Sequence, residues 1–287
     1  MRAFFGHAAL LVVALATAGI PVVTQSTPRA TQPPARGAQP RTPAPTAKRP
    51  TTTPSAAPRA EATVPFRVGE TLTWDVSWSQ YMVAGSAVSR VVEKRATGNS
   101  SAYYIVAEGK PLPLIARLYA LYYKMDSLLD SFSTLSQRTS LYTEEGRDKR
   151  SVAMTFNRPA RKALFEVYSD PPGKTEFTVP PDVQDGLATL YALRARPLKP
   201  GDRITVPVVD QATLYRATFE VGAPEPVKVP MGTVTAWGLG ISIVDPSNQP
   251  VGNNIRAWIT TDARRLPIKI QADLPVGNFI LALRTAQ

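Results

Sequence analysis

Period-two alternation of apolar and polar residues recurs from residue 71 to residue 284, and it constrains the fold more than any other feature of the chain. Leu72, Trp74, Val76 and Trp78 alternate with Thr71, Thr73, Asp75 and Ser77, so an extended backbone would sort them onto opposite faces of a sheet. Tyr215, Ala217, Phe219 and Val221 repeat the pattern, and so do Leu266, Ile268, Ile270, Ala272 and Leu274. Shorter stretches of the same kind occur at 85–95, 102–108, 122–131, 135–144, 150–157, 163–169, 176–179, 203–209, 234–244, 254–261 and 278–284. Turn signals such as Thr97-Gly98-Asn99, Glu145-Gly146-Arg147, Lys199-Pro200-Gly201-Asp202 and Asp245-Pro246-Ser247-Asn248 separate them. Many short antiparallel strands at this spacing predict a mainly β fold: a curved antiparallel sheet, as an open barrel or sandwich.

One stretch breaks the pattern. Asp185 is a good helix N-cap, Leu187, Leu190, Tyr191 and Arg194 follow at helical spacing, and Pro197 closes the run. A helix of two to three turns is unstable alone, so it is expected to pack across the sheet or over its open end. Residues 112–121 suggest a second short helix, begun by Pro111 and Pro113.

The alternation is confined to residues 64–287, the expected single domain. Residues 1–18 read as a secretory signal, with Arg2 before an apolar core at Ala8–Ala18 and a small-x-small site at Ala16-Thr17-Ala18. Gly19 and Pro21 interrupt the apolar run short of the roughly 20 residues that span a bilayer, which favours cleavage over an uncleaved anchor. Residues 19–63 form a linker rich in Pro, Ala, Thr and Arg with almost no large apolar residue, a composition expected to stay disordered. Extended, it would reach roughly 100 Å. It carries six cations (Arg29, Arg36, Arg41, Lys48, Arg49, Arg59) against Glu61, which is +5 of the chain's net +11; Arg2 adds one more, which leaves +5 for residues 64–287. Such a tail is a solvated spacer that can also approach an anionic envelope surface.

Composition excludes much chemistry. There is no Cys, and the only histidine is His7 inside the signal, so the mature chain lacks the imidazole and thiolate groups of Ser-His-Asp and Cys-His mechanisms and of zinc, copper or haem sites. Without Cys the domain relies on its core, and an N-terminal lipid-modified Cys is excluded. Gly173-Lys174-Thr175 resembles the end of a phosphate loop, but Tyr168 stands where that motif needs Gly and strand-like sequence follows. No cofactor, metal site or nucleic-acid module is indicated.

Carboxylates remain. Asp126 and Asp130 share one face at a spacing of four, as a hydrolytic pair or a calcium site would require, although a strand sets their Cα atoms roughly 13 Å apart. A solvated strand face is the expected reading. Asp185 and Arg194 fall on opposite sides of the helix, whereas Tyr191 and Arg194 share a face with Leu187 and Leu190, which reads as packing. Asp262-Ala263-Arg264-Arg265 reads as a hairpin turn with its arginines in solvent.

The stretches "FRVGETLTWDVSW", "AGSA", "DGLATLYALRARPLKPGD" and "RAWITTDARRLPIKIQADLPVGNFILAL", in that order, resemble the bacterial exported family known as domain of unknown function 3108, over residues 64–284. The resemblance implies an antiparallel, β-rich envelope protein and supplies no catalytic residue. Its motif positions, Gly69, Glu70, Trp74, Gly85, Asp185, Tyr191, Arg194, Gly201, Asp262, Pro267 and Gly277, read as turns, caps and packing. The architecture is also similar to that of periplasmic lipoprotein carriers. The expected function is therefore non-catalytic: binding of a lipid or other amphipathic envelope ligand in the concave face, with Trp74, Trp78, Tyr191, Arg194, Trp237 and Trp258 as candidate contacts. The alternatives are a structural or protein- or wall-interaction module on a tether, and a carboxylate-based hydrolase.

Overall fold

The computed structural model describes residues 60–78, 82–98, 100–117, 120–274 and 277–287, so the expected signal and nearly all of the linker lie outside it. Contacts with the sheet begin at Glu61, three residues before the expected start of the domain. Its carboxylate accepts from Lys94, Ser101 and Ser131, and the Ala62 N–H donates to the Ser131 carbonyl at 2.9 Å.

Fourteen strands form one sheet among the described residues. They are β1 (Thr71–Trp78), β2 (Met82–Thr97), β3 (Ser100–Pro111), β4 (Leu121–Asp130), β5 (Ser136–Glu145), β6 (Asp148–Asn157), β7 (Lys162–Val167), β8 (Gly173–Thr178), β9 (Arg203–Asp210), β10 (Thr213–Val229), β11 (Gly232–Val244), β12 (Asn253–Thr260), β13 (Pro267–Leu274) and β14 (Gly277–Ala286). Two helices interrupt them, α1 (Pro113–Ala116) and α2 (Gly186–Ala195). The order is β8-β7-β6-β5-β4-β3-β2-β1-β14-β13-β12-β11-β10-β9, and every paired neighbour is antiparallel. The expected mainly β, antiparallel open architecture with short packing helices is what the chain adopts.

The chain thus meanders from β1 outward to β8, crosses through α2, and meanders back from β9 until β14 lies beside β1. That pairing brings the two ends of the domain together: Thr71 and Gln287 exchange backbone hydrogen bonds of 3.1 and 3.0 Å. Register shifts at Thr73/Trp74, Val76/Ser77, Val91/Glu93, Leu128/Leu129 and Val221/Pro224 bend the strands, as bulges do.

The two edges, β8 and β9, follow one another in sequence, and the segment between them closes the gap. Gln184 makes a parallel bridge to Val208, with its N–H on the Pro207 carbonyl and its carbonyl on the Val209 N–H, both at 2.9 Å. The Gln184 amide also accepts from the Ser136 N–H at 2.8 Å and donates to the Thr134 carbonyl at 2.8 Å. Arg158 adds bonds to the carbonyls of Pro181 and Val183, at 2.7 and 3.0 Å. Beneath this segment Val152, Met154, Phe156 and Phe165 from one wall meet Val179, Val183 and Val209. The seam is therefore shut by apolar packing and a few side-chain bonds, with no ladder between the edge strands.

The β9–β10 turn sits at this seam, and Ala212 and Leu214 pack on its apolar cluster. Burial pushes the Asp210 carboxyl from its ordinary 3.8 up to about 7, against the opposing pull of Arg150 and the Gln211 N–H. The folded chain then holds a proton that the unfolded chain releases, so stability falls as pH rises from about 4 to about 7 and is flat beyond. Asp210→Asn should be more stable than the parent at pH 8 by about 1–3 kcal/mol, allowing for partial solvent exposure, and closely matched at pH 4. Urea melts at the two pH values check this; equal stabilities at pH 8 would refute the assignment.

Candidate functional site

The helix that crosses between the two edges is pinned at both ends by buried polar groups. Asp185 caps its first turn through Oδ1, which accepts from the Ala188 N–H at 2.8 Å, and it replaces the solvent that an N-terminal helix turn would otherwise need. Its Oδ2 accepts from Ser127 Oγ of β4 at 2.7 Å and from Ser136 Oγ of β5 at 2.6 Å. Burial raises the carboxyl above its ordinary range even though these donors favour the charged form. Asp185 is thus a structural pin, with each oxygen directed into the protein.

One turn from the other end, Tyr191 and Arg194 are brought together as their spacing predicts, and both are completely buried. The Tyr191 hydroxyl shares a 2.9 Å hydrogen bond with Ser89 Oγ of β2, and its ring meets Phe66 edge-on at 5.0 Å. Burial pushes the phenol up to about 12, so it stays neutral at physiological pH. Arg194 forms a two-pronged pair with Glu70, just before β1: Nη1 donates to Oε1 at 2.7 Å and Nη2 to Oε2 at 2.9 Å. Its Nε and Nη2 also donate to the carbonyls of Arg265 and Arg264, at 2.9 and 3.2 Å. The guanidinium carbon lies 5.4 Å from the Phe66 ring centre and 5.0 Å from that of Tyr191. Side-chain exposure is 0% for Arg194 and 5% for Glu70, so neither offers a surface to a ligand.

The Asp262–Arg265 turn differs from its expected form. The Arg265 side chain does not extend into solvent: Nη1 donates to the carbonyls of Arg194 and Arg196. A cation here satisfies acceptors that the last helical turn leaves open. The turn is thereby part of the helix lock.

The remaining aromatic candidates do not converge. Trp74 is buried on the inner face with its Nε1 on the Pro267 carbonyl at 3.1 Å. Trp78 stacks on Phe279 at 6.1 Å, over Gly277, where a Cβ would come within 2.2 Å of the indole nitrogen. Trp237 is partly buried against the main core. Trp258 is nearly fully buried and belongs to the main core cluster. It lies opposite Gly238 and Lys269, on the reverse face from Ala257, Leu239 and Ile270, between the cations of Arg256 and Lys269 at 4.8 and 4.9 Å. Its Nε1 donates to Glu225 at 2.6 Å.

Asp126 and Asp130 are likewise engaged, and Asp130 is buried where a solvated strand face is expected. It accepts from Ser100 Oγ, the N–H groups of Phe132 and Ser133, Ser133 Oγ and Gln137 Nε2. Burial alone would raise its carboxyl, but these donors outweigh burial and hold it at about 2. An acid so strong cannot deliver a proton near neutral pH. Asp126 accepts from Ser140 Oγ. A cleft of about 320 Å³ opens beside Asp130, lined also by Gln137, Phe156 and Arg158, while a pocket between α2 and β9, beside Leu135, Thr189 and Val206, is about 30 Å³. Among the described residues no three acidic side chains gather as a metal site would need, and no helix is long and apolar enough to cross a membrane.

The end of the sheet opposite α2 has a different character. Met82 and Val83 open β2, Leu112 and Leu114 lie at and after the end of β3, and all four are exposed. The alternation hides these residues, because they fall in and beside connections; the signal available was the run Leu112-Pro113-Leu114-Ile115-Ala116, read as a helix without a partner.

Residues 73–284 match the model of a family described as protein of unknown function, DUF3108. The chain belongs to the DUF3108 family. No curated protein matches this DUF3108 chain. Among solved structures it is similar to a beta-barrel-like protein of domain of unknown function DUF1849 from Brucella abortus, at 9% identity over 77% of this chain and 97% of that one, with a TM-score of 0.46. An exported protein with a YmcC-like fold from Bacteroides fragilis aligns at 11% identity over 79% and 100% of the two chains, TM-score 0.33. A lipoprotein from Parabacteroides distasonis aligns at 8% over 79% and 100%, TM-score 0.35. With TM-scores below 0.5, these likenesses add nothing to the strand order itself.

In the DUF3108 domain the helix lock should be cooperative. Arg194→Met alone strands the Glu70 carboxylate and Glu70→Gln alone strands the guanidinium, each costing about 3–5 kcal/mol, whereas the double variant Arg194→Met/Glu70→Gln should recover a large part of that loss. Denaturant melts of the three variants check this, and additive losses would refute it.

Proposed function

We propose that this DUF3108 protein is an exported, non-catalytic envelope domain that works through its outer surface. The observation that carries this reading is the internal engagement of the polar groups that the helix and the Asp126/Asp130 strand offered as candidates. Asp185, Tyr191, Arg194 and Asp130 bond inward to partners that hold them fixed, and the pocket between α2 and β9 is small, about 30 Å³. Such a domain has no reactive centre among these residues, and its variable asset is the surface of its loops. The leader at residues 1–18 and the basic linker at 19–63 support export and a tethered role in the envelope.

A second reading, an amphipathic ligand held in the concave face, has one observation in its favour: the wall has a seam. Edges β8 and β9 are joined through Gln184 and apolar packing, so parting them breaks few hydrogen bonds. Native mass spectrometry of the exported chain, purified from the envelope, separates the two. The mass expected is that of the polypeptide cut near residue 18 and nothing more; one lipid retained per chain would replace the first reading with the second.

A further inference from the structure

Antiparallel neighbours run in opposite directions, so the connections of this meander sort to two ends of the sheet. The Glu70 side of β1, the β4–β5 turn and the β12–β13 turn share one end, which α2 occupies through Asp185, Arg194 and Arg265. The β1–β2, β3–β4 and β5–β6 connections share the other. There the Leu112 N–H donates to the Ala84 carbonyl at 2.9 Å, which sets Leu112 and Leu114 alongside Met82 and Val83. Their exposures are 37%, 73%, 53% and 39%, so four apolar side chains at this end of the sheet are open to solvent. A single exposed Leu is ordinary; several at one end of a sheet suit a contact surface.

The charges around this patch have one sign where it is most apolar. From Gly109 to Tyr123 the chain carries two cations, Lys110 and Arg117, and no acid, between Glu108 and Lys124, while residues 76–89 hold no charge at all. Lys110 and Arg117 are exposed and in no ion pair among the described residues. The Gly146 N–H donates to the Ala120 carbonyl at 2.8 Å, which brings the exposed Arg147 of the β5–β6 turn beside the same connection, together with the acids Glu145 and Asp148 of that turn, so the single sign holds for the β3–β4 side of the patch. Leucines flanked by long cations suit a bilayer interface, where apolar tips enter the acyl region and the cationic heads stay with phosphate. The linker repeats the sign, with six cations against one acid.

We infer that the DUF3108 domain lays this end on an anionic lipid bilayer, with Leu112 and Leu114 inserting, Met82 and Val83 beside them, and Lys110, Arg117 and Arg147 engaging lipid phosphates. This rests on the surface-acting reading above and names the surface. Burying two leucines supports about a tenfold to hundredfold gain in partitioning over the linker's electrostatic attraction alone.

Flotation of the leader-free chain, linker intact, with phosphatidylglycerol-containing and pure phosphatidylcholine vesicles tests it. The chain should float with the anionic vesicles and detach in high salt. Leu112→Ser/Leu114→Ser should weaken flotation at least tenfold, Lys110→Glu/Arg117→Glu should abolish the anionic preference, and Val68→Ser at the opposite end should change nothing. Equal flotation of the parent and the leucine variant would assign binding to the linker and overturn the inference, as would no flotation. A photo-cross-link from Leu114 to one protein, with vesicles ignored, would also overturn it and leave the surface-acting reading standing; a lipid retained inside the purified chain would remove that reading instead.

Discussion

A full positive charge is sealed inside this β protein at Arg194, and the geometry around it explains why the helix sits where it does. An isolated guanidinium in a dry interior is prohibitively costly, so Arg194 is tolerated only with Glu70 and the carbonyls of Arg264 and Arg265 in place. Those acceptors come from the residue before β1 and from the β12–β13 turn, which the long-range pairing of β1 with β14 brings together. The pair therefore acts as a register device: α2 has one satisfactory position, and any other leaves two charges unpaired.

From that fixed point the closure of the sheet follows. Asp185 at the far end of α2 is held by Ser127 and Ser136, and Gln184 beside it is held by both β9 and β5. A helix anchored to β1 and β12–β13 at one end and to β4–β5 at the other spans the opening, which obliges the two edges to approach. The edges then pack through Val179, Val183 and Val209 without needing a ladder, and the last joint of the meander is one backbone bridge at Gln184 together with side chains.

The strands were legible in the alternation because nearly all have a buried face; the edge strand β8 is almost wholly exposed, and only its last residues, from Glu176, were read as strand. The pattern fails where a strand outlives its hydrophobic rhythm: β10 continues to Val229, past Gly222, Pro224 and Pro226, which read as a loop. Two prolines of the same parity remove donors from one edge only, and β9 stops pairing at Glu220, so β10 has an edge that needs no donors there. The β9–β10 turn was silent for another reason. Gln211 and Ala212 both hold positive φ, at 43° and 66°, where Asn-Gly would advertise the turn; the surrounding seam imposes what the local sequence disfavours. Within the helix, Asp185 as cap and Tyr191 with Arg194 on one face were readable, since those are local geometry. The partner of Arg194 lies 124 positions away, and Asp130 gathers donors from three separate segments; tertiary placement of this kind leaves no periodic trace.

The two ends of the sheet differ in how much the fold depends on them. At the α2 end nearly every polar atom has a partner from a distant strand, so substitutions there are felt throughout the domain. At the other end the exposed side chains of Met82, Leu112 and Leu114 bear on no strand pairing, so they are free to serve a contact. The chain enters the domain near Glu61, beside Ser131 at the foot of β4, on the helix-locked end. The contact proposed at the apolar end therefore asks the segment before Glu61 to reach past the length of the sheet, ~33 Å for a ten-residue strand, a distance that the linker expected from the composition of 19–63 would cover if extended.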